Sequence, residues 1–400
     1  MRHVGGGAAA GAGGGLARFL LLYGALYGAY GSLSPVMPNV LAGRGLSPAE
    51  IGLVLAGATL TRLVAGPLAG RAADRRGAAR TILAAAAGLA GLAALAHLAG
   101  HGFPALLALG LAYAVATAPL APLADALALA GAQGGRAFQY GWVRGAGSAA
   151  FIGATILVGW LIAAQGLAAA LIVGGILFLA TGLAARLLPA GTGSGVGSEP
   201  GSEPAPPEGI WRGFAALLRL PGFRRTVLVA GLVVGAHAMH DAFAMILWRA
   251  SGIGPALAGL LWSEAVAAEV LVFLAVGPWL LARIGLAGGL VLAAGAGALR
   301  WGVMAETTAL PWLAAVQLLH GLTFALLHLA CLGLIERAVP ARLRATALTL
   351  YGTVGLGLAG AALTLASGPL YAGFGARGFW VMAALSLLAV PLAIRLRLQP

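Results

Sequence analysis

Displaced by 207 positions, this chain lies over itself. Gly24 and Gly28 fall on Gly231 and Gly235, and Pro48, Gly52, Leu53, Gly70 and Arg76 fall on Pro255, Gly259, Leu260, Gly277 and Arg283, with no gap. Gly and Leu are so common here that their coincidences weigh little; the proline and arginine matches carry the case. Each half holds about six long apolar runs, so the repeat predicts two copies of one six-helix bundle.

Those runs need lipid. Hydrophobic residues make up 60% and charged ones 9%, where a soluble chain has about a quarter charged. So few charges cannot cover a surface facing water, and the chain must dissolve in a bilayer. Two related bundles in one membrane chain meet near mid-bilayer, where carriers built this way hold a solute. In a soluble protein the net charge of +13 would suggest nucleic acid; here it reads as a topology signal, and no nucleic-acid partner is expected. All 24 basic residues are arginine, which removes Schiff-base chemistry and the phosphate-loop lysine. The single cysteine, Cys331, excludes internal disulfides and multi-cysteine zinc sites.

A spanning helix takes about 20 apolar residues. The runs predict spans at 18–41, 48–70, 79–99, 103–130, 138–164 and 167–188, then 222–249, 255–283, 286–306, 309–336, 343–371 and 376–397. The first 15 residues, rich in Gly and Ala, read as a flexible tail, and Phe19–Val40 as an uncleaved first helix. Segment 191–209, full of Gly, Pro, Ser and Glu, reads as a disordered linker; its GTGSG lacks the strand and partner residues of a hydrolase. Pro35, Pro38, Pro119 and Pro122 fall inside spans and predict kinks. Gly355-Leu-Gly-Leu-Ala-Gly360 spells a nucleotide-binding pattern but sits in an apolar run, and reads as a close helix-packing face.

With the N-terminus inside, the arginines sort. Eighteen fall in inner loops and tails, three (Arg44, Arg249, Arg377) in outer loops, and three (Arg62, Arg144, Arg300) within helices. That asymmetry predicts cytoplasmic termini and linker, and an even helix count.

A charge at the bilayer centre costs about 2.5–3.5 kcal/mol on insertion scales, so ionisable groups in spans usually face a cavity or a partner. The first half has Arg62, Asp125 and Arg144; the second has His237, His240, Asp241, Glu264, Glu269, Arg300, His320 and His328. The bland reading is helix-register pairing, foremost for Arg62 and Asp125. His237, His240 and Asp241, at i, i+3 and i+4, share a face; they lack a fourth zinc ligand and read as a proton-responsive surface rather than a metal site. Glu264 and Glu269 stand about 140° apart, so at most one looks into a cavity, while His320 and His328, about 80° apart, can line one flank. Glu269 occupies the repeat position of Arg62. Tyr23, Tyr27, Tyr30, Tyr140, Trp142, Trp262 and Trp301 accompany these charges, a mixture that suits an amphipathic organic solute.

Gly70-Arg-Ala-Ala-Asp74-Arg75-Arg76-Gly77 resembles the loop signature of the major facilitator superfamily, with Ala72 in place of the usual Leu. The resemblance implies that Asp74 and Arg75, framed by Gly70 and Gly77, hold this loop against neighbouring helix ends and gate the inner side. LSPAEIGLVLAG with Arg62, PLAPLADALA with Asp125, YGWVRGAGS with Tyr140 and Arg144, LLWSEAVAAEVLVF with Glu269, LRWGVMAETTALPWL with Arg300, and QLLHGLTFALLHLA with His320 and His328 are similar to the phenylpropionate permease group. That implies proton-linked uptake of 3-phenylpropionate-type acids. A more distant resemblance to the lactose permeases matches Arg144, Arg300 and His320 to residues that bind sugar or serve coupling. Their proton-carrying glutamate falls at Thr323 here, so Glu269 takes that part.

The expected molecule is an all-α integral membrane protein: twelve transmembrane helices in two pseudo-symmetric six-helix bundles, at 1–188 and 221–400, joined by a cytoplasmic linker at 189–220. It is a monomer in the cell inner membrane, with no cofactor, metal or enzymatic nucleophile. The expected function is proton-coupled uptake of an aromatic or related organic acid by alternating access; the alternatives are a proton-coupled sugar or nucleoside symporter and a drug efflux antiporter. Tyr27, Tyr30, Asp125, Tyr140, Arg144, His237 and Trp262 are the expected substrate residues, with Asp125 neutralising Arg144 in the empty site. Asp241, Glu269, Arg300, His320 and His328 are the expected proton-coupling residues.

Overall fold

The computed structural model describes residues 7–132, 137–188 and 210–397, with side chains over 15–132, 137–188 and 213–396. The expected linker, its GTGSG run and the loop around Arg136 lie largely or wholly outside the described residues. Among those described, every regular element is helical.

The elements are α1 (Gly7–Leu33), α2 (Met37–Gly43), α3 (Pro48–Arg76), α4 (Ala79–Ala96), α5 (Phe103–Thr117), α6 (Leu120–Ala132), α7 (Tyr140–Gln165), α8 (Ala168–Arg186) and α9 (Ile210–Arg219). They continue with α10 (Pro221–Gly235), α11 (His237–Ala250), α12 (Pro255–Leu271), α13 (Gly277–Glu306), α14 (Leu310–Gln317), α15 (Leu327–Ala338), α16 (Arg344–Leu350), α17 (Ala359–Phe374) and α18 (Phe379–Arg397). Nine stretches are long and apolar enough to cross a bilayer; two of these, Pro255–Glu306 and Ala341–Leu396, run 52 and 56 residues. At 1.5 Å per residue each is roughly 80 Å, more than twice the hydrocarbon thickness, so each crosses twice. With α1, 27 residues long, the described residues make twelve spans. The reversal inside Pro255–Glu306 falls at Gly285, whose φ of 72° and ψ of 169° leave the helical region. A residue with a Cβ would be strained there.

Two expected spans are broken where a proline removes a backbone donor. The span expected at 18–41 stops at Leu33 and resumes at Met37, across Pro35; the one at 103–130 breaks between Thr117 and Leu120, at Pro119. The expected tail needs correction: α1 already begins at Gly7, although this run holds more Gly than Ala and has little helix propensity of its own. The second half carries underwound π-helical turns at Val272–Val276, Gly321–Leu326 and Tyr351–Leu358.

The repeat is visible in local structure. Pro48 and Pro255, 207 apart, each open a helix. Gly45 and Gly252, also 207 apart, both take positive φ just before them, at 82° and 84°. At the first of these starts Ser47 and Glu50 cap each other: the Glu50 carboxylate accepts from the Ser47 backbone N–H at 2.8 Å, and Ser47 Oγ accepts from the Glu50 N–H at 3.4 Å.

Two compact units form, one from 1–44 and 61–202, the other from 45–60 and 203–400. In the first, α1 packs on α7 and α8, and α4 on α8; in the second, the repeat-related α10 packs on α17 and α18, and α13 on α18. The division departs from the expected boundary at 45–60. Within that unit Gly52 lets α3 come close to α17, where an added Cβ would meet the Thr364 carbonyl oxygen at 3.1 Å. Gly355 lies against Val227, as the packing-face reading of its glycine pattern expects. Outward faces are apolar, with Leu274 77% exposed, as lipid contact allows and water does not.

Candidate functional site

In the first unit the site grows from α1. Tyr23, Tyr27 and Tyr30, at i, i+4 and i+7, form one aromatic stripe: the Tyr23 and Tyr27 rings stack at 5.5 Å, and Tyr30 meets Tyr27 edge-on at 6.0 Å. Gly147 makes room for that stripe, since a Cβ there would sit 2.8 Å from Tyr27 Cδ2. One turn earlier on α7, the Arg144 guanidinium carbon lies 4.6 Å from the Tyr27 ring centre, a cation–π contact.

Asp125 on α6 makes no direct ion pair with Arg144. Its Oδ1 accepts from the Tyr23 hydroxyl at 2.5 Å and from the Tyr140 hydroxyl at 3.0 Å. Arg144 is exposed and forms no ion pair with another described residue. Two phenol donors already satisfy the carboxylate, and the guanidinium takes the ring face instead. Tyr30 is anchored away from both, donating to the Thr117 carbonyl at 3.1 Å. Arg62 is exposed on α3.

The second unit is organised around Arg300, which is 0% exposed. A guanidinium has only donors, so each partner must accept. Nη1 donates to His320 Nδ1 at 2.9 Å and Nη2 to Gln317 Oε1 at 2.6 Å; the face of the group lies 4.5 Å from the Trp301 ring centre. With Nδ1 accepting, His320 carries its proton on Nε2 and donates to Glu269 Oε2 at 3.3 Å. With Oε1 accepting, Gln317 presents its amide nitrogen to His240 Nε2 at 3.1 Å. His240 then carries its proton on Nδ1, 3.1 Å from Asp241 Oδ1. One buried cation is thus joined through two imidazoles to two carboxylates.

His237 and His240 are buried while the Asp241 side chain is 61% exposed. His237 Nε2 meets the Thr323 hydroxyl at 2.9 Å, and Trp262 stacks on His240 at 4.9 Å. Phe324 separates His320 from His328, its ring parallel to both at 5.6 and 6.3 Å. The π-helical turn at Gly321–Leu326 brings these i, i+4, i+8 side chains into one column. His328 Nδ1 pairs with the Tyr351 hydroxyl at 2.9 Å, apart from the Arg300 network. Glu269 joins the network and Glu264 does not, as their angular separation requires. Glu264 shares a stripe with the exposed Leu257, Leu260 and Leu271.

Sequence reasoning missed Gln317 and Tyr351. Gln317 had a signal: a lone amide in an apolar run, one turn before His320. Asp74 and Arg75 sit at the end of α3 before Gly77 (φ 56°); both are exposed and neither forms an ion pair with another described residue. Among the described residues no three of His, Cys, Asp and Glu come together as metal ligands.

Twelve spans built as repeated six-helix units, with ionisable groups held inside the spans, define a secondary transporter. The chain belongs to the major facilitator superfamily, matching the MFS_1 like family over residues 16–382. It is 33% identical over 369 residues to the probable 3-phenylpropionic acid transporter of Escherichia coli strain K12, covering 90% of this chain and 92% of that one. It is 28% identical over 357 residues to the maltose permease of Geobacillus stearothermophilus, covering 88% and 86%. Among solved structures, the nucleoside transporter NupG superposes with a TM-score of 0.80 at 17% identity, over 96% of this chain and 99% of that one. A bacterial homologue of the lysosomal transporter Spinster, inward-facing and unoccupied, gives 0.71 at 14% identity, over 98% of each chain. At these identities the structures speak for the fold alone.

Proposed function

We propose that this transporter takes up an aromatic monocarboxylate of the 3-phenylpropionate type together with a proton, by alternating access, as a monomer in the inner membrane with both termini cytoplasmic. The observation that carries the reading is Arg144: an exposed guanidinium within a membrane span, lying on the Tyr27 ring, with Asp125 engaged by two tyrosines instead. A cation at the bilayer centre without a direct carboxylate partner costs about 2.5–3.5 kcal/mol. A carboxylate supplies the missing charge, and the guanidinium fork matches its two oxygens. The tyrosine stripe beside it offers faces for the substrate's ring. The relative's name in Escherichia coli supports the same substrate class.

In this reading Glu269 carries the proton. Its link to Arg300 through His320 lets a change in that network favour its charged form in one conformation and its neutral form in another, as coupling requires. Asp74 and Arg75 serve the inner gate. The bundles at 1–188 and 221–400 are the moving bodies and 189–220 is their linker.

A second reading, a sugar or nucleoside symporter, is favoured by Asp125 and its two phenol partners, which suit a polyol's hydroxyls, and by the maltose permease relative. The discriminating experiment is uptake of radiolabelled aromatic acids, disaccharides and nucleosides by proteoliposomes under an inward proton gradient. The first reading expects aromatic acids alone to accumulate above empty vesicles; accumulation of a sugar or nucleoside instead overturns it.

A further inference from the structure

The second unit carries a strongly basic end that the transport reading uses only as a topology signal. Helix α9, ten residues long, spans only about 15 Å and cannot cross a bilayer. It lies against α10 and α16, with Leu217 fully buried in the apolar core that also holds Phe223, Ile335 and Val339. Leu218, beside it, is 53% exposed. Around this floor stand Arg219, Arg224, Arg337, Arg342 and Arg344, all exposed. Arg344 donates to the Glu336 carbonyl at 3.0 Å; the other four make no hydrogen bond or ion pair with another described residue. Glu336 is the one acidic residue in the described stretches 213–225 and 335–345.

The depth of this end is marked independently. Arg283 lies 4.3 Å over the ring of Trp279, which is 52% exposed, and Leu281 between them packs on the same core. An exposed tryptophan at a span end sits at the headgroup level. A short helix with one face buried, an exposed leucine, and unpaired guanidinium groups at headgroup depth has the form of an interfacial helix facing anionic lipid. Arginine, the chain's sole basic residue type besides histidine, matches a phosphodiester with two parallel N–H donors.

We infer that this end of the second unit, built from α9 and the arginines at the ends of α10, α15 and α16, binds the headgroups of anionic phospholipids. The lipid's phosphodiester takes the unpaired guanidinium groups while its acyl chain lies along Leu218 and the exposed Leu348. The opposite end of the same unit has Arg249 and Arg377 at its helix termini and provides the matched control.

The test uses the full-length transporter in neutral detergent, titrated with phosphatidylglycerol or phosphatidylcholine and read by native mass spectrometry. Phosphatidylglycerol is expected to be retained in preference to phosphatidylcholine. At roughly fivefold per arginine, R337Q/R342Q is expected to weaken retention about 25-fold, and R249Q/R377Q to leave it unchanged. R219Q/R224Q, on separate helices, is read alongside, so a folding defect in one pair leaves the other decisive. Equal retention of phosphatidylcholine, or an equal loss in R249Q/R377Q, overturns the inference. Displacement of the lipid by millimolar inorganic phosphate also overturns it, assigning the arginines to a soluble anion.

Discussion

Arg300 Nη1 and His320 Nδ1 meet at 2.9 Å, and because a guanidinium can only donate, this one contact decides which ring nitrogen of His320 faces Glu269. The same logic runs the other way through Gln317 to His240 and Asp241. The second unit therefore holds its ionisable groups in a defined donor–acceptor order rather than as a loose polar patch.

Gln317 is the link whose removal should be felt first. In Gln317→Leu both Arg300 Nη2 and His240 Nε2 lose their partners in the interior. Each buried polar group left unsatisfied costs about 1–3 kcal/mol, so the variant should unfold at lower temperature than wild type in detergent, and Gln317→Glu, which restores an acceptor to Arg300, should recover part of the loss. A melting curve unchanged in Gln317→Leu would mean that the amide is not holding the network.

Arg144→Lys keeps the positive charge and loses the fork. If Arg144 anchors a carboxylate, equilibrium binding of 3-phenylpropionate should weaken at least tenfold, since an ammonium cannot reproduce two parallel N–H donors. Because Asp125 is held by Tyr23 and Tyr140, Asp125→Asn should weaken binding less than Arg144→Lys does. Affinity equal to wild type in Arg144→Lys would remove the residue from the site.

Much of this architecture is legible in the chain. Apolar runs, the 207-residue repeat and the in-span prolines foreshadow twelve spans and the breaks at Pro35 and Pro119, because span length and a missing backbone donor are local properties. Which side chains would meet is less legible. Asp125 and Arg144 look like an ion pair in sequence, yet two tyrosines from different helices reach the carboxylate first. Gln317 becomes a connector only because α11, α13 and α14 bring His240 and Arg300 to either side of it. The π-helical turn after His320 likewise depends on packing rather than on a residue code, and it aligns His320, Phe324 and His328.

The gate reading concerns Asp74 and Arg75. Asp74→Asn should slow turnover several-fold in proteoliposomes while leaving substrate affinity from the outer side within about twofold, because the loop lies at a span end and not in the tyrosine–arginine site. Unchanged cycling would reduce the loop to a topology signal.

The arginine distribution predicts where the chain ends relative to the membrane. A reporter fused after Pro400 that works only in the cytoplasm should be active, and its periplasmic counterpart silent. The reverse pattern would overturn either the orientation or the even number of spans.

The most direct test of the account is accumulation of radiolabelled 3-phenylpropionate against its own gradient in proteoliposomes with an imposed inward proton gradient, wild type beside Glu269→Gln. The account predicts that wild type concentrates the acid above the level in empty vesicles, and that Glu269→Gln binds it and exchanges it at equal concentrations but no longer concentrates it. Proton-driven accumulation by Glu269→Gln at the wild-type level, or none by wild type itself, would contradict the account.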